Sequence, residues 1–222
     1  MRYINKKSEN QPASLIQHKS TPNCNYGNYA EKDDLRKALL TEQEFLCCYC
    51  MRKIQTPTED KMKIEHFKPR SIYNGANGKP DLTLEYTNLF ASCKGNEGGT
   101  KNMQHCDKTK ANTEIKLNPA DKQLMKLIKF DANGAILTGE DELDNEIDNI
   151  LRLNIQSLKN GRKEIWESLE QVIKKEFGKK TVTKSFINDK IKIWSRKNQF
   201  GMAEQYCQVA LYYLTKKIKK AE

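Results

Sequence analysis

Residues 47–50 read CCYC, and this tetrapeptide decides how the middle of the chain folds. The two-residue gap between Cys47 and Cys50 lets both thiolates bind one Zn²⁺ at about 2.3 Å. One such pair is weak evidence for a metal site, because structural zinc takes four ligands. Cys93 and Cys106 supply a second pair, and the glycine-rich residues between them can loop out. The sequence therefore predicts a structural zinc site made of four cysteines.

His105 and Cys48 are alternatives for the fourth ligand of this site. A disulfide framework is not expected, because the chain has seven cysteines, an odd number, and no secretory signal in its polar N-terminal residues.

A glutamate and a histidine stand side by side between the two cysteine pairs, in the segment IEHFKP at residues 64–69. Phosphodiester hydrolysis needs an activated water, a Lewis acid and an oriented base, and neutral imidazole can take a proton from water near pH 7. Neighbouring side chains on a strand face opposite sides, but a bulge or a strand end lets Glu65 and His66 converge. His66 is therefore the candidate general base.

The order of these motifs resembles that of the HNH endonucleases, which have a ββα-metal (His-Me finger) fold. The matching segments are CCYC, EHFKP, NLFASCKGN and HCDKTKAN, and they lie within about residues 41–112. With a helical C-terminal half behind them, they are similar to the PtuB-like branch of Septu and retron-associated anti-phage proteins.

The resemblance implies a role for each matching residue. Glu65 and Asp107 would bind the catalytic metal, His66 would activate water, and Asn88 would orient that histidine. Two carboxylate ligands favour Mg²⁺ or Mn²⁺ over Zn²⁺ at this second site. Asp107 stands where the family more often has His or Asn, and the stretched second cysteine pair leaves His105 open as a zinc ligand, a catalytic-metal ligand or a phosphate contact. The predicted nucleic-acid contacts are Lys68, Arg70, Lys108, Lys110 and His105.

The predicted fold class is α+β: a small ββα-metal HNH module stapled by a four-cysteine zinc site, followed by a mainly α-helical C-terminal domain. We expect an irregular arm over residues 1–30, the HNH module with its zinc knuckles over 31–120, and a β-hairpin plus a basic helical domain over 121–222.

Periodicity supports these assignments. Apolar spacing predicts a helix from Lys32 to Phe45, and the stretch 127–138 predicts a hairpin around Asn133-Gly134. Alternation of Met62, Ile64 and Phe67 with Lys63 and the Glu65–His66 pair predicts a short strand. Three- and four-residue apolar steps beyond residue 139 predict helices, with Gly161 and Gly178 as candidate breaks and a last helix from about Met202 to Ile218.

Positive charge is concentrated at one end of the chain. The net charge is +10, and residues 174–222 hold thirteen basic and four acidic residues, a net +9. This block favours either a phosphate-tracking surface or a solvated lysine-rich helical face. No apolar stretch approaches the roughly 18 residues that span a bilayer, so we expect a cytoplasmic protein without membrane contact.

The expected function is metal-dependent endonuclease activity on nucleic acid, with DNA favoured over RNA. The PtuB-like resemblance implies an anti-phage nuclease effector whose partners are a PtuA-type ATPase and a retron complex. Two alternatives remain open: a zinc-ribbon nucleic-acid-binding adaptor without catalysis, and an RNA-cleaving toxin of the tRNA-cutting type.

Overall fold

The structure is a computed structural model that describes residues 1–178 and 180–219. Lys179 and Lys220 of the basic block lie outside these described residues. The helices are α1 (Ala13–Lys19), α2 (Lys32–Glu42), α3 (Asp107–Lys110), α4 (Lys122–Leu127), α5 (Asp141–Asn145), α6 (Gln156–Phe177), α7 (Lys184–Ser195) and α8 (Cys207–Ile218). The strands are β1 (Met62–His66), β2 (Leu89–Cys93), β3 (Lys129–Phe130) and β4 (Ile136–Leu137). Helices and small sheets thus coexist in one chain, as predicted.

The first sheet is an antiparallel pair that brings the predicted motifs together. β1 pairs with β2 from Met62↔Cys93 to His66↔Leu89. The zinc-ligand candidate Cys93 therefore lies at one end of the pair, and His66 lies at the other, beside Asn88. Helix α2 packs against β2. The helix predicted from Lys32 and the strand predicted around Ile64 are both confirmed, and the strand includes the Glu65–His66 pair.

The second sheet is the predicted hairpin, formed by β3 and β4. Its turn contains Gly134, whose φ of +77° is accessible to glycine at little cost. A Cβ atom at this position would lie 2.1 Å from the carbonyl oxygen of Lys159 in α6. The glycine therefore permits both the turn and the close approach of the hairpin to α6.

One of the two glycines predicted as breaks does not interrupt its helix. Helix α6 runs through Gly161 and ends at Gly178, which has a φ of +57°. A Cβ at Gly161 would lie 2.7 Å from the ring of Tyr206. Close packing of a tyrosine, rather than a helix end, explains the glycine at 161.

The main hydrophobic core draws buried residues from all three predicted segments, between Met1 and Val209. The first thirty residues, predicted to be irregular, contain α1, which buries Leu15 completely. A second cluster lies where the last three long helices meet and consists of Leu169, Ile187, Ala210, Tyr213 and Leu214. The segment boundaries proposed from sequence remain a prediction.

No helix among the described residues is both long enough and apolar enough to cross a membrane.

Candidate functional site

Four cysteine side chains meet at the end of β2. The sulfur atoms of Cys47, Cys50, Cys93 and Cys106 all lie within 4.8 Å of one another. The Sγ–Sγ distance is 3.9 Å between Cys47 and Cys106 and 3.7 Å between Cys50 and Cys93. Four sulfurs at about 2.3 Å from a central ion would be roughly 3.8 Å apart in a tetrahedron. The predicted four cysteines are thus placed to hold one metal ion.

The four ligands come from three separate pieces of chain. In the knuckle, the Cys47 amide donates to the Arg52 carbonyl at 3.0 Å and the Met51 amide donates to the Cys47 carbonyl at 3.1 Å. Cys106 precedes α3 with a φ of +57°, a conformation that costs energy in a residue with a Cβ. Its amide donates to the carbonyl of Leu151 at 2.8 Å. A bound ion would cross-link the knuckle, β2 and the start of α3.

The two alternative ligands lie outside this group. His105 is buried, and its Nδ1 atom is 3.1 Å from the Cys106 sulfur. The imidazole therefore contacts a ligand atom and is not exposed to solvent, which differs from the nucleic-acid contact predicted for it. The backbone amide of Cys48 donates to the carbonyl of Ala91 at 3.0 Å.

The geometry around His66 fixes which of its ring nitrogens can accept a proton. His66 is the last residue of β1, and its Nε2 atom is 3.0 Å from the carbonyl oxygen of Thr83. A carbonyl can only accept a hydrogen bond, so Nε2 carries the hydrogen and Nδ1 carries the lone pair. Burial lowers the pKa of His66 to about 4, although the Thr83 carbonyl acts in the opposite direction. The ring is therefore neutral at pH 7 with Nδ1 as its basic atom.

Tyr26 forms one wall of the His66 environment. The two ring centroids are 4.6 Å apart with an interplanar angle of 84°, an edge-to-face contact. The guanidinium carbon of Arg70 lies 4.6 Å from the Tyr26 ring centroid, so Tyr26 contacts both His66 and Arg70. The segment between α1 and α2 thus contributes a side chain to this site.

Glu65 lies in a buried polar cluster behind the cleft. The Tyr49 hydroxyl and the Lys110 ammonium each lie 2.8 Å from its Oε1 atom. Burial raises the pKa of Glu65 well above its usual range, the hydrogen bond and negative charge of Asp107 raise it further, and Lys110 opposes both. The two carboxylates are close enough to repel each other, a situation that a shared cation would relieve.

Lys110 occupies a different position from the phosphate contact predicted for it. Its side chain is 0% exposed, and that of Glu65 is 3% exposed. Its ammonium also donates to the backbone carbonyl of His66 at 3.2 Å. Lys110 thus binds the protein's own Glu65–His66 segment.

Asn88 clamps the two chain segments that hold His66. Its Oδ1 atom accepts from the Lys68 amide at 2.7 Å. Its Nδ2 atom donates to the carbonyls of Lys68 and Leu82, at 3.1 and 3.0 Å. The side-chain hydrogen bonds of Asn88 therefore go to the loop after His66 and to the residue before Thr83, rather than to the imidazole.

An open cleft of about 610 Å³ brings together part of the predicted site. Five of the predicted residues line it: Glu65, His66, Arg70, Asp107 and Lys108. Glu65 and His66 both reach it because β1 ends there. Arg70 and Lys108 are exposed at this cleft. The fifth predicted basic contact, Lys68, instead pairs with Glu114 at 3.1 Å.

Three residues around the site were not predicted from the sequence. Tyr49 could have been suspected from its place inside CCYC. Thr83 contributes only a backbone carbonyl, which any residue type can supply. Tyr26 belongs to a polar segment that is distant in sequence from the motifs.

Comparisons with known proteins point in the same direction as the motifs. No family model matches the chain. The chain is similar to an Escherichia coli protein named "Retron Ec83 putative HNH endonuclease", with 29% identity over 134 residues. The alignment covers 55% of this chain and 50% of the relative, so the chain spans about half the length of the curated relative it matches. This likeness supports nuclease function in general terms.

Proposed function

We propose that this chain is a metal-dependent HNH endonuclease in which His66 activates water, Glu65 and Asp107 hold the catalytic cation, and the four cysteines hold a structural Zn²⁺. The observation that carries the proposal is the hydrogen bond from Nε2 of His66 to the Thr83 carbonyl. It assigns the hydrogen to Nε2 and the lone pair to Nδ1, and His66 lines the same cleft as the two carboxylates.

The donor sets fit two different ions. Four thiolates at tetrahedral spacing suit Zn²⁺. Glu65 and Asp107 offer only oxygen, which suits Mg²⁺ or Mn²⁺; Mg²⁺ is commonly bound through one or two carboxylates, water and substrate phosphate. The contacts of Glu65 with Tyr49 and Lys110 both use Oε1, so its Oε2 atom is the candidate ligand atom beside Asp107.

The chain's own residues account for the proton transfer. A divalent cation, when bound, supplies positive charge to the scissile phosphate and the leaving oxygen. Nδ1 of His66 takes a proton from the attacking water while Nε2–H remains bonded to Thr83. The water oxygen then bonds to phosphorus as the P–O3′ bond breaks, which gives a 5′-phosphate and, after O3′ gains a proton, a 3′-hydroxyl. Arg70 and Lys108 attract the flanking phosphates at the cleft.

The test is a cleavage assay of His66→Ala against a matched histidine control. His18→Ala is the control, because His18 lies outside the cleft, where its Nε2 atom contacts the Asn25 carbonyl at 3.0 Å. Both variants and wild type are incubated in parallel with supercoiled plasmid and total RNA, in Mg²⁺, Mn²⁺ or Zn²⁺. We expect His66→Ala to lose cleavage and keep wild-type zinc content. Wild-type cleavage by His66→Ala would refute the assignment of the base, and turnover in Zn²⁺ alone would refute the metal assignment.

The same assay separates the alternatives. A zinc-ribbon adaptor would bind both substrates and cut neither. An RNA-cleaving toxin would cut total RNA and spare the plasmid. The Arg70 and Lys108 positions favour a phosphate-bearing substrate without choosing between the two nucleic acids.

We also propose a place in bacterial anti-phage defence, with a PtuA-type ATPase as the partner. The support is the resemblance to PtuB-like proteins and the retron in the name of the relative. Co-expression with an ATPase of this type, followed by purification through a tag on this chain, tests the partnership. Recovery of this chain alone, with cleavage unaffected by the ATPase, would contradict it.

A further inference from the structure

A second concave surface, which we call the basic groove, lies away from the candidate active site. Its volume is about 740 Å³, and it shares no lining residue with the cleft that contains His66. The groove is lined by the N-terminal residues Arg2 and Tyr3, by α4, by the end of α7 and by α8. Nothing in the proposed chemistry uses this surface.

The charge of the groove is strongly one-sided. Six basic residues line it: Arg2, Lys122, Lys126, Lys129, Lys216 and Lys219. Glu44 is the one acidic residue among its lining residues in the described part of the chain. The Glu44 carboxylate is already held by Arg2 at 2.6 Å and Lys197 at 3.1 Å, which lower its pKa although burial opposes them. The positive charge at the groove mouth therefore comes from the lysines of α4 and α8.

Helix periodicity in α4 and α8 places these lysines on one face of each helix. In α4, Lys122 and Lys126 are four residues apart, so they project from one face. In α8 and at the residue after it, the groove is lined at positions 207, 208, 211, 212, 215, 216 and 219, the three- and four-residue steps of a single stripe. A helix of 12 residues is about 18 Å long. The stripe thus extends along one side of the groove for about this length.

Aromatic side chains accompany the lysines. Tyr3 is exposed at 36%, and Trp194 and Tyr212 are half-buried at the same surface. Single-stranded nucleic acids are bound by grooves that combine positive charge along the backbone with aromatic faces for the bases. An acidic polypeptide would use the lysines but would gain little from an exposed tyrosine ring.

We propose that the basic groove binds single-stranded nucleic acid through its phosphates, as a site separate from the catalytic cleft. Lys122, Lys126 and Lys216 contact phosphates, and Tyr3 stacks on a base. The site does not depend on catalysis, so it stands or falls independently of the role given to His66.

The experiment measures binding in the His66→Ala background, so that cleavage cannot interfere. The probe is a fluorescent 20-nucleotide oligothymidylate, and anisotropy is recorded over a series of salt concentrations. The test variant carries Lys122→Glu, Lys126→Glu and Lys216→Glu. The control variant carries Lys174→Glu, Lys175→Glu and Lys184→Glu, three exposed lysines outside the groove that give the same change in net charge.

We expect the groove variant to bind at least tenfold more weakly and the control variant to stay within about twofold of its parent. Each lost phosphate contact lowers the slope of log K against log salt by about 0.7 on a single strand, so three contacts should lower it by about 2. Tyr3→Ala should weaken oligothymidylate binding roughly fivefold or more, and leave binding of an abasic strand of equal length unchanged.

Two results would overturn the proposal. One is equal loss of affinity in the groove and control variants, which would mean that net charge alone drives binding. The other is tighter binding of a 20-residue polyglutamate than of oligothymidylate at the groove lysines, which would identify an acidic protein segment as the occupant. If His66→Ala still cleaves but the groove variant loses binding, only the catalytic proposal fails.

Discussion

Replacing Lys110 by methionine tests whether this residue supports the site from inside or contacts the substrate. Its ammonium lies 2.8 Å from Glu65 Oε1, and the two side chains are 0% and 3% exposed. Methionine keeps the length and apolar stem of lysine but removes the charge. Glu65 would then be buried near Asp107 without its positive partner.

The magnitude follows from the burial of both partners. Removing one member of a buried ion pair costs about 3–5 kcal/mol, because the remaining charge is uncompensated. For a chain of this size, each kcal/mol lowers Tm by roughly 2–4 °C, so Lys110→Met should lower Tm by roughly 6–20 °C. The double variant Glu65→Gln with Lys110→Met should recover most of this loss, because no unpaired charge is left.

The matched control is Lys108→Met, two residues away in the same short helix. The Lys108 side chain is 40% exposed and lies 3.8 Å from Glu97, a surface pair worth at most about 1 kcal/mol. Denaturant unfolding at pH 7 measures all four proteins. Equal stabilities of Lys110→Met and Lys108→Met, with weakened substrate binding by Lys110→Met, would refute the reasoning and restore the phosphate contact.

Three further predictions concern the histidine, its aromatic wall and the cysteines. Because burial lowers the pKa of His66 to about 4, the imidazole itself, followed by its NMR chemical shifts, should show its acidic break near pH 4; an imidazole break near 6.5 would contradict this. Tyr26→Ala should open the His66 ring to water and move that acidic break upward by about one pH unit, whereas Tyr26→Phe should leave it in place; identical profiles for both would remove Tyr26 from the site. Cys50→Ser should abolish stoichiometric zinc, measured by elemental analysis, and cost roughly 3 kcal/mol or more in stability, whereas Cys24→Ser, outside the cluster, should change neither.

Local patterns were sufficient to predict much of the fold. The alternation around Ile64 and the turn signal at Gly134 depend on neighbouring residues, and β1 and the second hairpin form where expected. Helix α1 was not predicted, because Leu15 is its one buried residue and the adjacent Leu15 and Ile16 create no helical period. The last helix begins at Cys207 rather than near Met202, because Tyr206 takes a left-handed φ of +58°. The residue pattern around Tyr206 does not indicate this conformation.

The candidate site also has parts that the local sequence predicts and parts that it does not. The spacing of Cys47 and Cys50 predicts that both bind one ion, because a knuckle is a local structure. The tautomer of His66 depends on a carbonyl seventeen residues away, and any residue type can supply a carbonyl. The orientation of Asn88 toward Lys68 and Leu82 likewise needs the folded loop.

The inward turn of Lys110 also changes the electrostatic argument about the cation. From sequence, Glu65 and Asp107 form a doubly anionic oxygen site. In the structure, the ammonium of Lys110 lies 2.8 Å from Glu65 and offsets part of that negative charge, and burial raises the pKa of Glu65. A site of lower negative charge attracts a divalent cation less strongly by itself, and the phosphate of the substrate becomes the natural source of the missing negative charge. For the function proposed above, the buried lysine therefore favours binding of the cation together with the nucleic acid, since the two carboxylates and the phosphate supply together what the carboxylates alone do not.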